Sequence, residues 1–419
     1  MSRALELYRS LPRYLATRAV AGRLPALASA AASGTAPLRL VERDAPKPPG
    51  PGWVTVRPRL SGICGSDLAT VTGKSSFYFS SLVSMPFVPG HEVVADLAEA
   101  VTLPDGRELA PGSRVVLDPV LSCAARGLAD CPGCASGQTS RCDRVTAGHL
   151  SPGLQTGYCA DTGGGWSRAL VAHVSQLRPV PAGLDDERAV LIEPLACAVH
   201  TARRAAPGPD DHVLVIGAGA VGLFTLLALR AFTLAGRITV VAKHRRQVEL
   251  AQAFGASEVL PPGQALGGVR RATRALRLDP ELGPPYLMGG VDVAVDCAGS
   301  SGSLATALRT TRAGGRVVLS GVPTGSPDLS PLWYRELELV GSYASARRGP
   351  AGEAADASSP AGLDARGDFE LAAELAATAP LDGVVSARYP LARWRDALDH
   401  ALSAGRLGAT KVVFDVMAS

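Results

Sequence analysis

The sequence predicts an α/β protein of two domains, an antiparallel, barrel-like β domain and a doubly wound parallel sheet. Three observations predict it. Up to about residue 190 the chain consists of short apolar runs cut by turn residues. From about residue 211 strand-like and helix-like segments alternate, the mark of parallel βαβ units. A glycine fingerprint sits where the first of those strands passes into a helix. The length of 419 residues agrees, at roughly 150 residues per domain.

Composition narrows the class. Gly (46) and Pro (32) are abundant, yet 47% of residues are hydrophobic and no Gly-X-Y period appears, so the chain is turn-rich and globular. A net charge of +4 argues against a dedicated nucleic-acid binder. Four of the eight cysteines fall between Cys123 and Cys142, a clustering that reads as metal binding before disulfides.

The start of the chain carries Arg3, Arg9, Arg13, Arg18 and Arg23 against only Glu6, then an Ala/Ser run from Ala26 to Ser33. An Arg-rich, acid-poor start can be a transit peptide; the reading preferred here is an N-terminal strand and helix. The β domain follows, with strands expected at Trp53–Leu60, Val93–Ala98 and Arg114–Asp118, and Pro-Gly turns at 49–52, 89–90 and 111–112. Within it, Gly62-Ile-Cys-Gly-Ser-Asp67 follows one strand and Pro89-Gly-His-Glu92 precedes the next. Cys64 and His91 are ligand types that zinc prefers, and Asp67 is placed to orient His91 through its second ring nitrogen. Taken singly, a Cys near a Gly is usually just a small buried residue, and a lone His–Glu pair means little.

Cys123-x7-Cys131-x2-Cys134-x7-Cys142 comes next, and four thiolates in one loop would close a tetrahedral structural zinc site. In Glu193-Pro-Leu-Ala-Cys-Ala-Val-His200 a carboxylate stands in an apolar run, costly to bury unless paired or metal-bound, with Cys197 as the competing ligand.

The second domain opens with a strand at Val213–Ile216 and a helix at Val221–Phe232. The apolar stretch from Val213 to Leu234 holds three glycines near its start and Arg230 inside it, which suits a buried strand and helix better than a membrane span. At the junction, Gly217 permits the tight turn, Gly219 lets backbone approach a pyrophosphate, and Gly222 lets helix and strand pack; Ala220 and Val221 start the helix whose N–H groups would meet the anion. The next strand, Ile238–Ala242, ends without the carboxylate that usually binds a ribose and is followed by Lys243, His244, Arg245 and Arg246. That suits a 2′-phosphate, so NADP(H) is preferred over NAD(H), the bland alternative being a solvated basic helix start. A helix at Arg245–Phe254, strands at Val291–Asp296 and Arg316–Gly321, and a helix at Leu304–Arg312 stopped by Gly314–Gly315 complete the alternation. An Ala/Gly/Ser-rich insertion over 347–367 reads as a mobile surface loop. Helices at Phe369–Ala377 and Trp394–Ala404 and a strand at Lys411–Val416 close the chain.

In this order GICGSD (62–67), PGHE (89–92), the four-cysteine lobe, EPLACAVH (193–200), VIGAGAVG (215–222), VDVAVDCAGS (291–300) and KVVF (411–414) resemble the zinc-containing medium-chain dehydrogenase/reductase family, on the side of sorbitol and threonine dehydrogenases. The resemblance implies a GroES-like catalytic domain over 1–197, with 345–419 returning to it, and a Rossmann domain over 198–344. It implies Cys64, His91 and Glu193 on a catalytic zinc, Glu92 as an exchanging ligand, and Ser66 as the first proton-relay hydroxyl. It also implies a homodimer or homotetramer acting on a small alcohol or carbonyl substrate in the cytoplasm, without nucleic acid or membrane. The function expected is hydride transfer between NADP(H) and an alcohol, aldehyde or ketone. A zinc-independent quinone or enoyl reductase, and a non-catalytic nucleotide-binding protein, are the alternatives. Three departures stand out: the first lobe gap is seven residues rather than two, leaving Cys159 as a substitute for Cys123; Ala69 replaces the usual relay His, so the proton path must end in water or a group such as Thr70 or Thr72; and the first 35 residues and the insertion have no counterpart. Phe77, Tyr78, Phe79, Trp333 and Tyr334 read either as pocket lining or as plain core.

Overall fold

The computed structural model describes residues 2–23, 32, 34–325, 327–347 and 366–418. The chain forms two compact units, one of residues 1–193 with 381–419 and one of residues 194–380.

The first unit opens with β1 (Ser2–Leu7), α1 (Leu11–Arg23) and β2 (Leu38–Arg43), β1 and β2 pairing antiparallel. The expected N-terminal strand and helix are thus present. Leu5 and Leu7 of β1 are buried with Phe87, Trp166 and Phe414, and backbone bonds to Phe87 and Trp166 tie the strand down. Then come β3 (Trp53–Gly62), α2 (Gly65–Val71), β4 (Val93–Leu97) and a short hairpin of β5 (Val101–Thr102) and β6 (Glu108–Leu109). They are followed by β7 (Arg114–Leu117), α3 (Pro132–Ala135), β8 (Leu170–His173), β9 (Leu177–Pro179) and α4 (Asp186–Ala189).

The helix α5 (Ile192–Ala205) leads into the second unit, which contains β10 (His212–Ile216), α6 (Ala220–Phe232), β11 (Arg237–Val241), α7 (Arg245–Ala253), β12 (Glu258–Leu260) and α8 (Ala265–Thr273). A hairpin of β13 (Leu276–Leu278) and β14 (Tyr286–Met288) precedes β15 (Val291–Asp296), α9 (Ser301–Thr310), β16 (Thr311–Leu319), α10 (Ser330–Tyr334), β17 (Glu338–Gly341) and α11 (Asp368–Thr378). The chain then returns to the first unit with β18 (Val385–Pro390), α12 (Trp394–Ser403) and β19 (Lys411–Asp415).

In the first unit seven strands form one sheet in the order β18-β19-β3-β4-β7-β9, with β8 on β3; all pairs but β18–β19 are antiparallel. Alternate residues Val54, Val56, Val93, Ala95, Val115, Leu117 and Leu170 point into one core, as the two-residue strand period requires. In the second unit the parallel order β12-β11-β10-β15-β16-β17 is that of a doubly wound sheet, reversing between β10 and β15. Its strands read as continuous apolar runs because both faces are covered, by α8 and α9 residues such as Val269, Leu304 and Leu308 on one side.

Two expectations are corrected. The division at 345 is replaced by one at 380–381, because α11 is bound to α5 of the second unit: the buried Asp368 takes His200 Nδ1 at 3.0 Å, Arg203 Nε at 2.8 Å and the Ala346 N–H at 2.6 Å. Gly314–Gly315 does not stop a helix: α9 ends at Thr310 and the pair lies within β16, where the register against β15 shifts. The aromatic residues at 77–78 and 333–334 are not core, with Tyr78 75% and Trp333 82% exposed. Most of the 26–33 run and of the 347–367 insertion lie outside the described residues. Among the described residues no helix is long and apolar enough to cross a membrane.

Candidate active site

Local chemistry sets the first cluster. Cys64 is the N-terminal cap of α2, and its N–H donates to Asp67 Oδ2 at 3.0 Å, so one short turn fixes both side chains. His91 and Glu92 enter β4 from a turn at Gly90, whose φ is +96°, and a Cβ there would stand 2.5 Å from Trp166 Cδ1. Gly62 faces Glu92 so closely that its Cβ would fall 1.8 Å from Oε2. The result is a convergence of Cys64, His91 and Glu92, with one ligand atom from each lying within 4.8 Å of the others. A thiol, an imidazole and a carboxylate, the last two buried, are a donor set that fits zinc.

Asp67 Oδ1 stands 3.5 Å from His91 Nδ1, ion-pair range rather than a hydrogen bond, and also accepts the Tyr158 hydroxyl at 3.3 Å. Burial of the ring would lower the His91 pKa, but Asp67 and Cys64 outweigh it and hold it well above its ordinary value. Glu92 is ion-paired with the buried Lys411 at the head of β19, which β3 places there by pairing Val413 with Gly62. Burial opposes charge on Lys411 as well, yet Glu92, Cys64 and Glu193 raise its pKa. Glu193, on the first turn of α5, is buried and near enough to act on Lys411, but it is not one of the three converging groups.

The lobe is the second cluster. Cys123, Cys131, Cys134 and Cys142 bring their sulfurs within 4.8 Å of one another. Cys123 Sγ lies 3.7 Å from Cys142 Sγ and accepts the Cys131 N–H at 3.4 Å, so the long first gap does not displace it. Cys159 lies apart, packed with Trp53, Leu121 and Leu150. Burial pushes the Cys134 and Cys142 thiols up. The loop is gathered by Arg126, a fully buried guanidinium that donates to the carbonyls of Leu121, Ala147, Leu150, Ser151 and Gly153.

The third constellation sits in the second unit. Gly217 has a φ of +99°, and a Cβ at Gly222 would fall 1.8 Å from the Gly217 carbonyl oxygen, the close helix–strand packing that the fingerprint requires. A Cβ at Gly219 would meet nothing within 4 Å, leaving open space beside the first turn of α6, which starts at Ala220 and Val221. After β11, Lys243 and Arg245 are exposed and His244 caps α7. Arg245 Nε is paired with Glu249 at 2.9 Å.

Lys411, Tyr158 and Arg126 are the groups that sequence reasoning missed. Lys411 left a signal, a lone cation heading an apolar strand; Tyr158 left none because its partner Asp67 is distant in the chain, and Arg126 none because its partners are backbone carbonyls.

Comparison with known proteins agrees with this layout. Residues 50–182 match the alcohol dehydrogenase GroES-like domain, and residues 220–357 match the zinc-binding dehydrogenase domain. An L-idonate 5-dehydrogenase of Vitis vinifera is 32% identical over 298 residues, 70% of this chain and 74% of that protein. A sorbitol dehydrogenase of Arabidopsis thaliana is 31% identical over 299 residues, again 70% and 74%. A zinc-binding dehydrogenase from Sinorhizobium meliloti 1021, solved bound to NADP, superposes with a TM-score of 0.64 at 26% identity, covering 90% of this chain and 95% of that one. The chain therefore belongs to the zinc-containing medium-chain dehydrogenase/reductase family, on its sorbitol dehydrogenase-like branch, and is an NAD(P)-linked alcohol/carbonyl oxidoreductase.

Proposed function

We propose that the protein interconverts a polyol-like alcohol and its carbonyl with NADP(H) in preference to NAD(H), at a zinc held by Cys64, His91 and a carboxylate. The convergence of Cys64, His91 and Glu92 carries the proposal. When bound, zinc supplies Lewis acidity toward the substrate oxygen and the nicotinamide supplies the hydride chemistry. The chain's own residues do the rest. Ser66 takes or returns the hydroxyl proton. Asp67 orients the His91 ring, and Lys411 neutralises Glu92, leaving Glu193 as the family's expected third ligand and Glu92 as the exchanging one. The four lobe cysteines hold a second, structural zinc.

The cofactor preference rests on the end of β11, where Ala242 stands in place of an acid and Lys243, His244 and Arg245 follow. With NADP(H), carbonyl reduction is the favoured direction. The polyol class is supported by the relatives named for idonate and sorbitol.

A second copy of the chain is the proposed partner in a homodimer, seated along β17. That edge strand has no partner on its outer side among the described residues and exposes Leu339, and the helix before it exposes Trp333 and Tyr334. A reducing, cytoplasmic setting is part of the proposal, since it would keep the lobe cysteines as thiols able to take a metal.

The test is a screen of polyols, alcohols and carbonyls with both cofactors, following absorbance of the reduced form, together with metal analysis. Two zincs per chain are expected, one lost in Cys64→Ser with the activity and the other lost in Cys134→Ser. Full activity in Cys64→Ser would instead favour a zinc-independent reductase. Lys243→Asp is expected to cut kcat/KM for NADP(H) about tenfold while sparing NAD(H); no change would overturn the NADP preference.

A further inference from the structure

The first 35 residues lie outside both family matches, which run over 50–182 and 220–357. Yet α1 is not an appendage. Its strand β1 is anchored in the core by Leu5 and Leu7 and by backbone bonds to Trp166 and Phe87. That anchoring sets α1 against the turn that follows α2, the helix bearing Ser66 and Asp67.

The contacts between them are specific. Tyr14 donates its hydroxyl to the Ser75 carbonyl at 3.0 Å. Arg18 Nη1 lies 3.2 Å from the Gly73 carbonyl oxygen and 3.3 Å from that of Ser75, donating to both. The Arg18 guanidinium stands 5.3 Å from the centroid of Phe77, and the Tyr14 ring lies 5.5 Å from the same ring. Helix backbone touches the turn as well: Gly73, at a φ of +70°, has room for no Cβ, which would meet the Arg18 N and Cα at 3.0 Å. The turn is otherwise exposed at Lys74, Ser76, Phe77 and Tyr78, so α1 is what holds its outer side.

Held there, the turn reaches inward. Ser75 Oγ is 3.0 Å from Thr70 Oγ1, and Thr70 donates to the Ser66 carbonyl at 2.9 Å. Thr70 Oγ1 is also 3.4 Å from the Tyr158 hydroxyl, which contacts Asp67. An unbroken set of contacts thus runs from Arg18 and Tyr14 through Ser75 and Thr70 to the residue that carries the relay hydroxyl.

We propose that the N-terminal strand and helix are a positioning element of the active site, with Tyr14 and Arg18 fixing the 73–77 turn and, through Ser75 and Thr70, the placement of Ser66. Tyr14 and Arg18 are positioning residues that touch no substrate, and the inference rests on the reading of Ser66 as relay. A relay hydroxyl displaced by a fraction of an ångström slows proton exchange, while cofactor and substrate contacts elsewhere are kept. The effect therefore falls on kcat rather than KM.

The experiment uses the full-length zinc-loaded enzyme. Arg18→Met is expected to lower kcat about tenfold, with KM for cofactor and substrate within about twofold, and to enlarge the solvent deuterium isotope effect on kcat. Amide exchange over 66–78 is expected to quicken. Arg18→Lys recovers part of kcat, since an ammonium keeps the ring contact and one carbonyl. Ser75→Ala cuts the bridge with α1 intact, so it repeats the loss of kcat even if Arg18→Met proves too unstable to assay. Unchanged kcat in Ser75→Ala, or a change in KM alone, would overturn the inference. Should the wild-type chain turn over no alcohol or carbonyl with either cofactor, the relay reading fails by itself. Exchange at Ser66–Thr70 in Arg18→Met then decides the positioning claim, quickened exchange supporting it and unchanged exchange overturning it.

Discussion

At the scale of residues, the β domain is stitched by charge as well as by packing. Arg59 of β3 pairs with Asp96 of β4 and with Asp186 of α4, and Asp186 also takes Arg114 of β7 at 2.9 Å. Burial alone would raise the Asp186 pKa; the two arginines outweigh it and hold the carboxyl below its ordinary value. A depressed acid contributes stability that is present above its unfolded pKa and lost as pH falls through the folded one. Asp186→Asn is therefore expected to cost about 1 kcal/mol at pH 7, measured by urea denaturation, and the difference is expected to shrink as pH falls below the ordinary carboxylate range. A constant difference across that range would mean that packing, not charge, holds α4. Such pairings were illegible in the sequence, because Arg59 and Asp186 are ordinary surface types until the fold brings them to 2.7 Å. The two converging clusters were legible for the opposite reason: Cys64, His91 and the lobe cysteines are rare types whose chemistry shows in short local motifs.

Among elements, the lobe shows how a departure from family spacing is absorbed. The seven residues between Cys123 and Cys131 contain Arg126, and its guanidinium gathers carbonyls from 121 to 153 into one fully buried site. The extra loop length supplies the group that organises it. Arg126→Met would leave several buried carbonyls without donors, at a cost of about 3 kcal/mol or more. The expected outcome is a lower denaturation midpoint together with faster loss of the lobe zinc to a chelator. Unchanged zinc retention would show that the cysteines hold their geometry alone. The strand and helix boundaries followed the sequence closely where the period was strong, as at β10, α6 and β15. They departed at Gly314–Gly315, because a glycine pair that looks like a stop signal also accommodates a shifted register inside a strand.

For the whole molecule, the parallel sheet has two unequal edges. Strand β12 is three residues long and carries Glu258, whereas β17 exposes Leu339 and the preceding α10 exposes Trp333 and Tyr334. The apolar edge is the one a second copy would pair with. Sedimentation is expected to give a dimer for the wild type and a single chain for Leu339→Lys, and a monomeric wild type would refute the pairing. The two-domain plan was readable from the change of rhythm near residue 211. The return point was not, since α11 looks like any amphipathic helix until Asp368 meets His200 and Arg203 of the second unit.

One pairing bears on how the chain is made. Strand β19 lies against β3, with Val413 opposite Gly62, and it brings Lys411 to Glu92. During synthesis β3 and Glu92 emerge early, and the entire second unit follows before β19 leaves the ribosome. That unit is contiguous in sequence, while the first is closed only by its last strand. Glu92, just ahead of β4, is thus born long before its counter-charge, and a nascent chain stalled ahead of residue 411 carries it without the lysine that neutralises it.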